Sequence, residues 1–168
     1  MPVQQAPQAS SSADAAAVSA TCREHSLSEA EFRELHRRCV DAKAMAYCPY
    51  SQFRVGASVE SMDGGGVFFD GANVENASYP VTTCAERVAM AKAVTEGHRR
   101  VRAVAVATDV APPASPCGMC RQFMREFCDL KVPIIMFDKD DNYIVMRLEE
   151  VTPPAPPAPP EHHREEHN

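Results

Sequence analysis

The chain has 168 residues, 45% hydrophobic and 24% charged, with a formal net charge of −6, which bounds it to one domain of ordinary size with a real core. That charge leaves no broad basic face for long nucleic acid, and no apolar run nears the roughly 20 residues that span a bilayer. The N-terminus has neither a basic start nor an apolar h-region, so the expectation is a soluble cytoplasmic protein with a small-molecule partner, no nucleic acid and no membrane.

Residues 1–25 are rich in Ala, Ser, Gln and Pro and read as a disordered arm. Ser28 with Glu31 then makes a capping-box pattern, and Phe32, Leu35, Cys39, Val40 and Ala46 follow at helical spacing, which predicts an amphipathic helix. Its polar face, with Arg33, Glu34, Arg37, Arg38 and Asp41, reads as solvated surface. "FRVGASVE" alternates Phe53, Val55, Ala57 and Val59 against smaller or polar partners, and "MDGGG" turns it into "VFFDGANV", which predicts a hairpin. "CAERVAMAKAVTEG" predicts a second helix, with Val88, Ala91 and Val94 or Thr95 at helical spacing and Gly97 as its stop. Thr83 and Glu86 at its start match a second capping box.

"VRAVAVAT" suits a strand buried on both faces. After the loop "DVAPPASP", Ser115 as a cap and Pro116 in a first turn predict a third helix at "CGMCRQFMREFC". "VPIIMF" and "YIVMRL", separated by "DKDDN", are two more strands. The order predicts a three-layer α/β domain over 26–151, with helices packed on a mixed sheet of about five strands. Residues 152–168 read as a proline-rich, charged, disordered tail, in which His162 and His163 belong to a solvated tip.

The seven cysteines, an odd number, read as reduced thiols and metal ligands rather than a disulfide framework. Cys84 opens one predicted helix, and Cys117 with Cys120 falls in the first turn of another. Free N–H groups and the helix dipole favour thiolates there. Residues i and i+3 share a helix face, so Cys117 and Cys120 can reach one ion, and a neighbouring helix start can bring Cys84 to it. Three ligands leave one tetrahedral position open, as hydrolytic zinc chemistry requires. Glu86, two residues past Cys84, stands where a proton shuttle belongs. Arg87 can donate to the sulfurs and offset the excess negative charge of three thiolates around one Zn²⁺.

Taken singly, each of these residues is more often a packed cysteine, a capping glutamate or a surface arginine. Their joint spacing carries the metal reading. Cys22, Cys39, Cys48 and Cys128 read as inert packing or surface thiols.

Cys-Ala-Glu followed after a gap by Pro-Cys-x-x-Cys resembles the zinc deaminase signature. The segments "YSQFRVGASV", "GANVENASYP", "CAERVAMAKAV", "SPCGMCRQFMREF" and "YIVMRLEE" resemble, in order over 27–151, the small homotetrameric zinc-dependent cytidine deaminases of pyrimidine salvage. The resemblance implies a cytidine deaminase-like fold and hydrolytic deamination of cytidine and 2′-deoxycytidine. It also implies one Zn²⁺ per subunit on Cys84, Cys117 and Cys120, with Glu86 as general acid/base. It further implies that Asn73 and Glu75 hold the ribose hydroxyls, that Phe53 lines the pocket, and that Ala85 presents backbone to the base. Ala77 and Tyr79 match residues offered to a neighbouring subunit. One departure stands out: family members commonly end in "ELLPxxF", whose aromatic reaches an adjacent subunit, and here Pro156 occupies that place.

Three other readings share parts of this pattern. They are a deaminase of a nucleoside analogue or aminoacylnucleoside antibiotic, a polynucleotide-editing deaminase, and a non-catalytic zinc-stabilised binding module. The last requires a fourth protein ligand.

Overall fold

A computed structural model describes residues 8–152; the proline-rich tail with Pro156, His162 and His163 lies outside the described residues. The five expected strands are β2 (Val55–Ser61), β3 (Phe68–Ala72), β4 (Val101–Thr108), β5 (Pro133–Phe137) and β6 (Asn142–Arg147). A sixth, β1 (Ser10–Ser11), extends the sheet, and the order across it is β1-β6-β5-β4-β2-β3. Among the described strands only β4 and β5 pair in parallel, so the sheet is mixed.

Alternation along β4 and β5 divides the core between the two faces. Val104, Val106, Ile134 and Met136 lie under α3 (Ala85–Thr95) and α4 (Gly118–Phe127). Ala103, Ala105, Ala107, Ile135 and Phe137 lie under α1 (Ala15–Glu24) and α2 (Glu29–Ala42). Three alanines in register leave room for α2 to seat Phe32, Leu35 and Cys39 closely. Phe32 and Leu35 are fully buried, a burial that stabilises by about 1.5–3 kcal/mol per side chain. The predicted capping box starts α2: the Glu31 N–H donates to Ser28 Oγ at 3.1 Å, and the Ser28 N–H donates to Glu31 Oε2 at 2.6 Å.

The arm expected over 1–25 is instead ordered from Ser10. Asp14 caps α1 by accepting the N–H groups of Ala16 and Ala17 at 2.9 and 3.1 Å. Val18 and Cys22, four apart, are both buried in the core. β1 pairs antiparallel with β6 and covers an edge that would otherwise present unpaired backbone. Two anchors and a sheet edge order a segment whose composition alone suggested disorder.

The second predicted helix also differs in orientation. Its buried face is Ala85, Glu86, Ala89, Met90 and Ala93, whereas Ala91 and Thr95 are exposed and Val88 and Val94 are half-buried. Small alanines, rather than the larger valines, meet the sheet because helix and sheet backbones approach closely here. Gly97 ends the helix as predicted, at φ +94.

One buried charge sits on the α2 side. Glu60 is 1% exposed, and neither carboxylate oxygen has a hydrogen-bond partner among the described residues. Its nearest cation, Arg102, lies 3.8 Å away and is already held by Glu31 at 2.9 Å. Burial, reinforced by the Glu31 charge, pushes the Glu60 carboxyl from 4.5 up to about 7. Between those two values the folded protein holds a proton that the unfolded chain releases. Stability therefore falls as pH rises through that window and stays low above it. Glu60→Gln is expected to flatten the slope and to raise stability at pH 8 on the order of 2 kcal/mol. Urea unfolding of both proteins at pH 5 and pH 8 measures it, and parallel pH dependences contradict the assignment.

Candidate metal centre and cleft

α3 and α4 begin side by side on one face of the sheet, and each has a cysteine as its N-cap. Cys84 and Cys117 are extended, at φ −72 and ψ 156 and at φ −67 and ψ 164, and neither makes a side-chain cap hydrogen bond. Thr83 does not cap α3 as expected; its backbone pairs with Val74, through Val74 N–H to Thr83 carbonyl and Thr83 N–H to Val74 carbonyl, both at 2.9 Å. Ser115 does not cap α4 either. It accepts from Arg121 Nη2 at 2.9 Å, while Arg121 Nε donates to the Pro116 carbonyl at 2.7 Å. Both helices thus start one or two residues later than predicted, leaving first-turn N–H groups beside sulfur rather than oxygen.

The three sulfurs converge. Cys84 Sγ lies 3.8 Å from Cys117 Sγ, Cys117 Sγ lies 3.5 Å from Cys120 Sγ, and all three fall within 4.8 Å of one another. A tetrahedral zinc with bonds of about 2.3 Å needs sulfurs about 3.8 Å apart, so the donor set fits the ion. Among the described residues no fourth His, Cys, Asp or Glu atom joins the group. Cys22, Cys39 and Cys128 are buried elsewhere, and Cys48 is half-buried away from the trio.

The electrostatics favour thiolate. The Cys120 thiol beside it holds Cys84 well below the ordinary thiol range; burial opposes this, while Arg87 and Cys117 assist it. Cys120 moves the opposite way, because it keeps the proton it shares with Cys84 and is itself buried. Arg87 Nη2 donates to the Thr82 carbonyl at 2.8 Å and approaches Cys84 Sγ at 3.9 Å. Burial alone would lower the Arg87 guanidinium, yet the Cys84 and Cys120 sulfurs beside it carry it upward. Glu86, on the first turn of α3, is 4% exposed, and its burial raises its carboxyl above the ordinary range.

A cleft of about 380 Å³ opens over this centre and is lined by Phe53, Asn73, Glu75, Cys84, Glu86 and Cys117 among others. Six of the residues singled out from the sequence therefore meet in one place. Cys120 is buried beneath, as the third sulfur. Ala85 is fully buried, Arg87 stands beside Cys84 outside the cleft lining, and Ala77 and Tyr79 are exposed outside it.

Elsewhere in the lining, Asn73 Oδ1 accepts the Val55 N–H at 2.9 Å, and Asn73 Nδ2 donates to the Phe53 carbonyl at 2.8 Å. This amide fixes the strand entrance that carries Phe53. Glu75 accepts the N–H groups of Tyr50 and Ser51 at 2.9 and 3.2 Å and the Ser51 hydroxyl. The hydroxyl bond, aided by those backbone donors, holds its carboxyl below the usual range. Ser51, Val55, Thr82, Val106, Thr108, Ala114 and Ser115 complete the lining and were not singled out from the sequence as site residues. Alternation already aimed Val55 at the core, and its register partner on β4 is Thr108. Sequence offers no comparable signal for Ser51, which reaches Glu75 only through the fold of its loop.

Residues 30–136 match the family model described as the cytidine and deoxycytidylate deaminase zinc-binding region. The chain belongs to this family, and membership implies zinc, for which the cysteine trio is the fitting cluster. A cytidine deaminase of Halalkalibacterium halodurans is 41% identical over 121 residues, covering 72% of this chain and 90% of the relative. One from Sporosarcina psychrophila is 46% identical over 95 residues, covering 56% of this chain and 68% of the relative. The crystal structure of cytidine deaminase from Burkholderia pseudomallei superposes with a TM-score of 0.70 at 36% identity, over 73% of this chain and 97% of that one. The matched region begins after α1, so β1 and α1 lie outside it.

Proposed function

We propose that this protein hydrolyses cytidine and 2′-deoxycytidine to uridine and 2′-deoxyuridine with release of ammonia, as an enzyme of pyrimidine salvage in the cytoplasm. The observation that carries the reading is the cleft itself, whose lining brings two of the three clustered thiols and a buried acid together with an amide and a carboxylate.

Zinc on Cys84, Cys117 and Cys120, one ion per subunit, would supply Lewis acidity that brings the pKa of a water molecule towards neutrality. Glu86 carries the protons: its carboxylate takes one from water and gives it to ring N3, then delivers the other to the amine leaving C4. The C4–O bond forms and the C4–N bond breaks. The two protons of water end on N3 of the product and on ammonia. Arg87 holds the Cys84 thiolate and the Thr82 carbonyl in place. Phe53 supplies an apolar wall, the Ala85 backbone faces the base, and Asn73 and Glu75 bind the sugar hydroxyls. Glu75, held by Ser51, is a fixed acceptor for a diol.

Residues 26–151 form the catalytic unit in this reading, with β1 and α1 packed onto it. The exposed Tyr79, at 72%, and Val81, at 63%, support assembly into a homotetramer in which Ala77 and Tyr79 meet a neighbour's cleft. The net charge of −6 supports a free nucleoside over a polynucleotide.

The test is direct. Zinc-loaded protein should convert cytidine to uridine with one ammonia released per turnover, followed by the loss of cytidine absorbance. A folded, zinc-replete protein that leaves cytidine and 2′-deoxycytidine untouched returns the site to the binding-module reading.

A further inference from the structure

Thr108 is a polar side chain in the cleft to which the proposed chemistry gives no task. It ends β4, is 2% exposed, and its Oγ1 has no hydrogen-bond partner among the described residues, although the side chain lines the cleft. Buried hydroxyls are almost always paired, so an unpaired one facing a binding cleft points to a partner that arrives with the ligand. The position is held from behind. Lys43 Nζ donates to the Thr108 carbonyl at 3.4 Å, and the adjacent Asp109 pairs with Lys43 at 3.0 Å and Arg54 at 2.7 Å.

Strand register says what that hydroxyl can reach. Val55 pairs with Thr108 on one side, and on the other its N–H is held by the Asn73 side chain. Asn73, Val55 and Thr108 therefore form a row across three neighbouring strands, all lining the cleft. The Asn73 side chain leans across to the Val55 N–H, so its amide and the Thr108 hydroxyl flank Val55 from the two neighbouring strands. A pyrimidine nucleoside held at Asn73 by its sugar therefore carries its ring over Val55 towards Thr108. Val55 and Val106 give this part of the lining an apolar surface.

We infer that Thr108 is a specificity-determining residue whose hydroxyl hydrogen-bonds the group attached to C4 of the pyrimidine; the inference rests on the nucleoside reading above. A hydroxyl suits this position because that group changes from an amine, which donates, to a carbonyl, which accepts, and a hydroxyl can answer both. A carboxylate could only accept, and a methyl group could do neither.

Thr108→Val keeps the branched shape and removes the hydroxyl. Its Tm should equal or exceed that of the wild type, since the free protein loses only an unpaired group. Its kcat/KM for cytidine should fall about tenfold, the worth of one neutral hydrogen bond, and Thr108→Ser should restore most of it. Competitive inhibition by uridine should weaken by a similar factor, while inhibition by pyridin-2-one riboside, which has only hydrogen at C4 and no N3=C4 bond to take up water, should not change. Thr108→Ala gives the same pattern if valine cannot be accommodated. Unchanged cytidine kinetics, or equal weakening of both inhibitors, overturns the inference. Absence of turnover by the wild type overturns the proposed function with it, whereas normal wild-type turnover with an unaffected Thr108→Val overturns this inference alone.

Discussion

Glu86→Gln should lower kcat for cytidine by about 10²–10⁴-fold, the range expected when a positioned proton carrier is lost. The substitution keeps the volume and planarity of the side chain, which matters for a residue only 4% exposed. Glutamine can still hydrogen-bond but cannot cycle a proton between water, N3 and the leaving amine. KM should change little, because the proposed function assigns substrate binding to Phe53, Asn73 and Glu75 rather than to Glu86, and zinc content should match the wild type. Glu86→Asp should also be slow. It retains a titrating group but withdraws it by one methylene, and misplacement of about 1 Å at a reacting centre can cost about 10²-fold. Steady-state kinetics with metal analysis on the same preparations decide the point. A Glu86→Gln protein turning over at the wild-type rate removes Glu86 from the chemistry and moves the proton transfer elsewhere in the cleft.

What could be read in advance follows from how local each signal is. Cys117 and Cys120 declare themselves because i and i+3 share a helix face. Cys84 and Glu86 declare themselves because a helix start concentrates the electrostatics that make such groups useful. The strands were legible through alternation, and β4 through its run of small and β-branched residues. The segment 15–24 was not, because Val18 and Cys22 alone are buried in a stretch otherwise made of small and polar residues, and its stability comes from the sheet edge and core that it joins. Glu60 was illegible for a related reason. Alternation along β2 places it opposite Val59, on a face that would be solvated in a two-layer fold but here lies under α2. Thr108 ends a strand that reads as wholly structural, and only the register against Val55 brings it to the cleft. In each case the missing information is which element covers a given face.

Gly71→Ala should damage both fold and activity although Gly71 does not line the cleft. A Cβ at this position would lie 2.4 Å from the Ala89 nitrogen and 2.5 Å from the Ala85 carbonyl oxygen. Those two atoms lie on the first turns of α3, so a methyl group would wedge between β3 and the helix that carries Cys84 and Glu86. Neither neighbour is a flexible side-chain tip, so the helix as a body must move. Overpacking of this kind costs about 3 kcal/mol, which for a chain of this size lowers Tm by about 10 °C. The displaced helix start would also carry Glu86 away from its working position, and kcat/KM should fall about 10²-fold even where the protein remains folded. Gly65→Ala provides the contrast. Gly65 has φ +57 with nothing within 4 Å of a built Cβ, so alanine there meets only the backbone penalty of about 1–2 kcal/mol. It should lower Tm by a few degrees and leave kcat alone. Thermal melts and kinetics on both variants separate the two effects. A Gly71→Ala protein that loses stability but keeps full kcat would mean that the β3–α3 contact holds the fold without setting the geometry of the catalytic helix start.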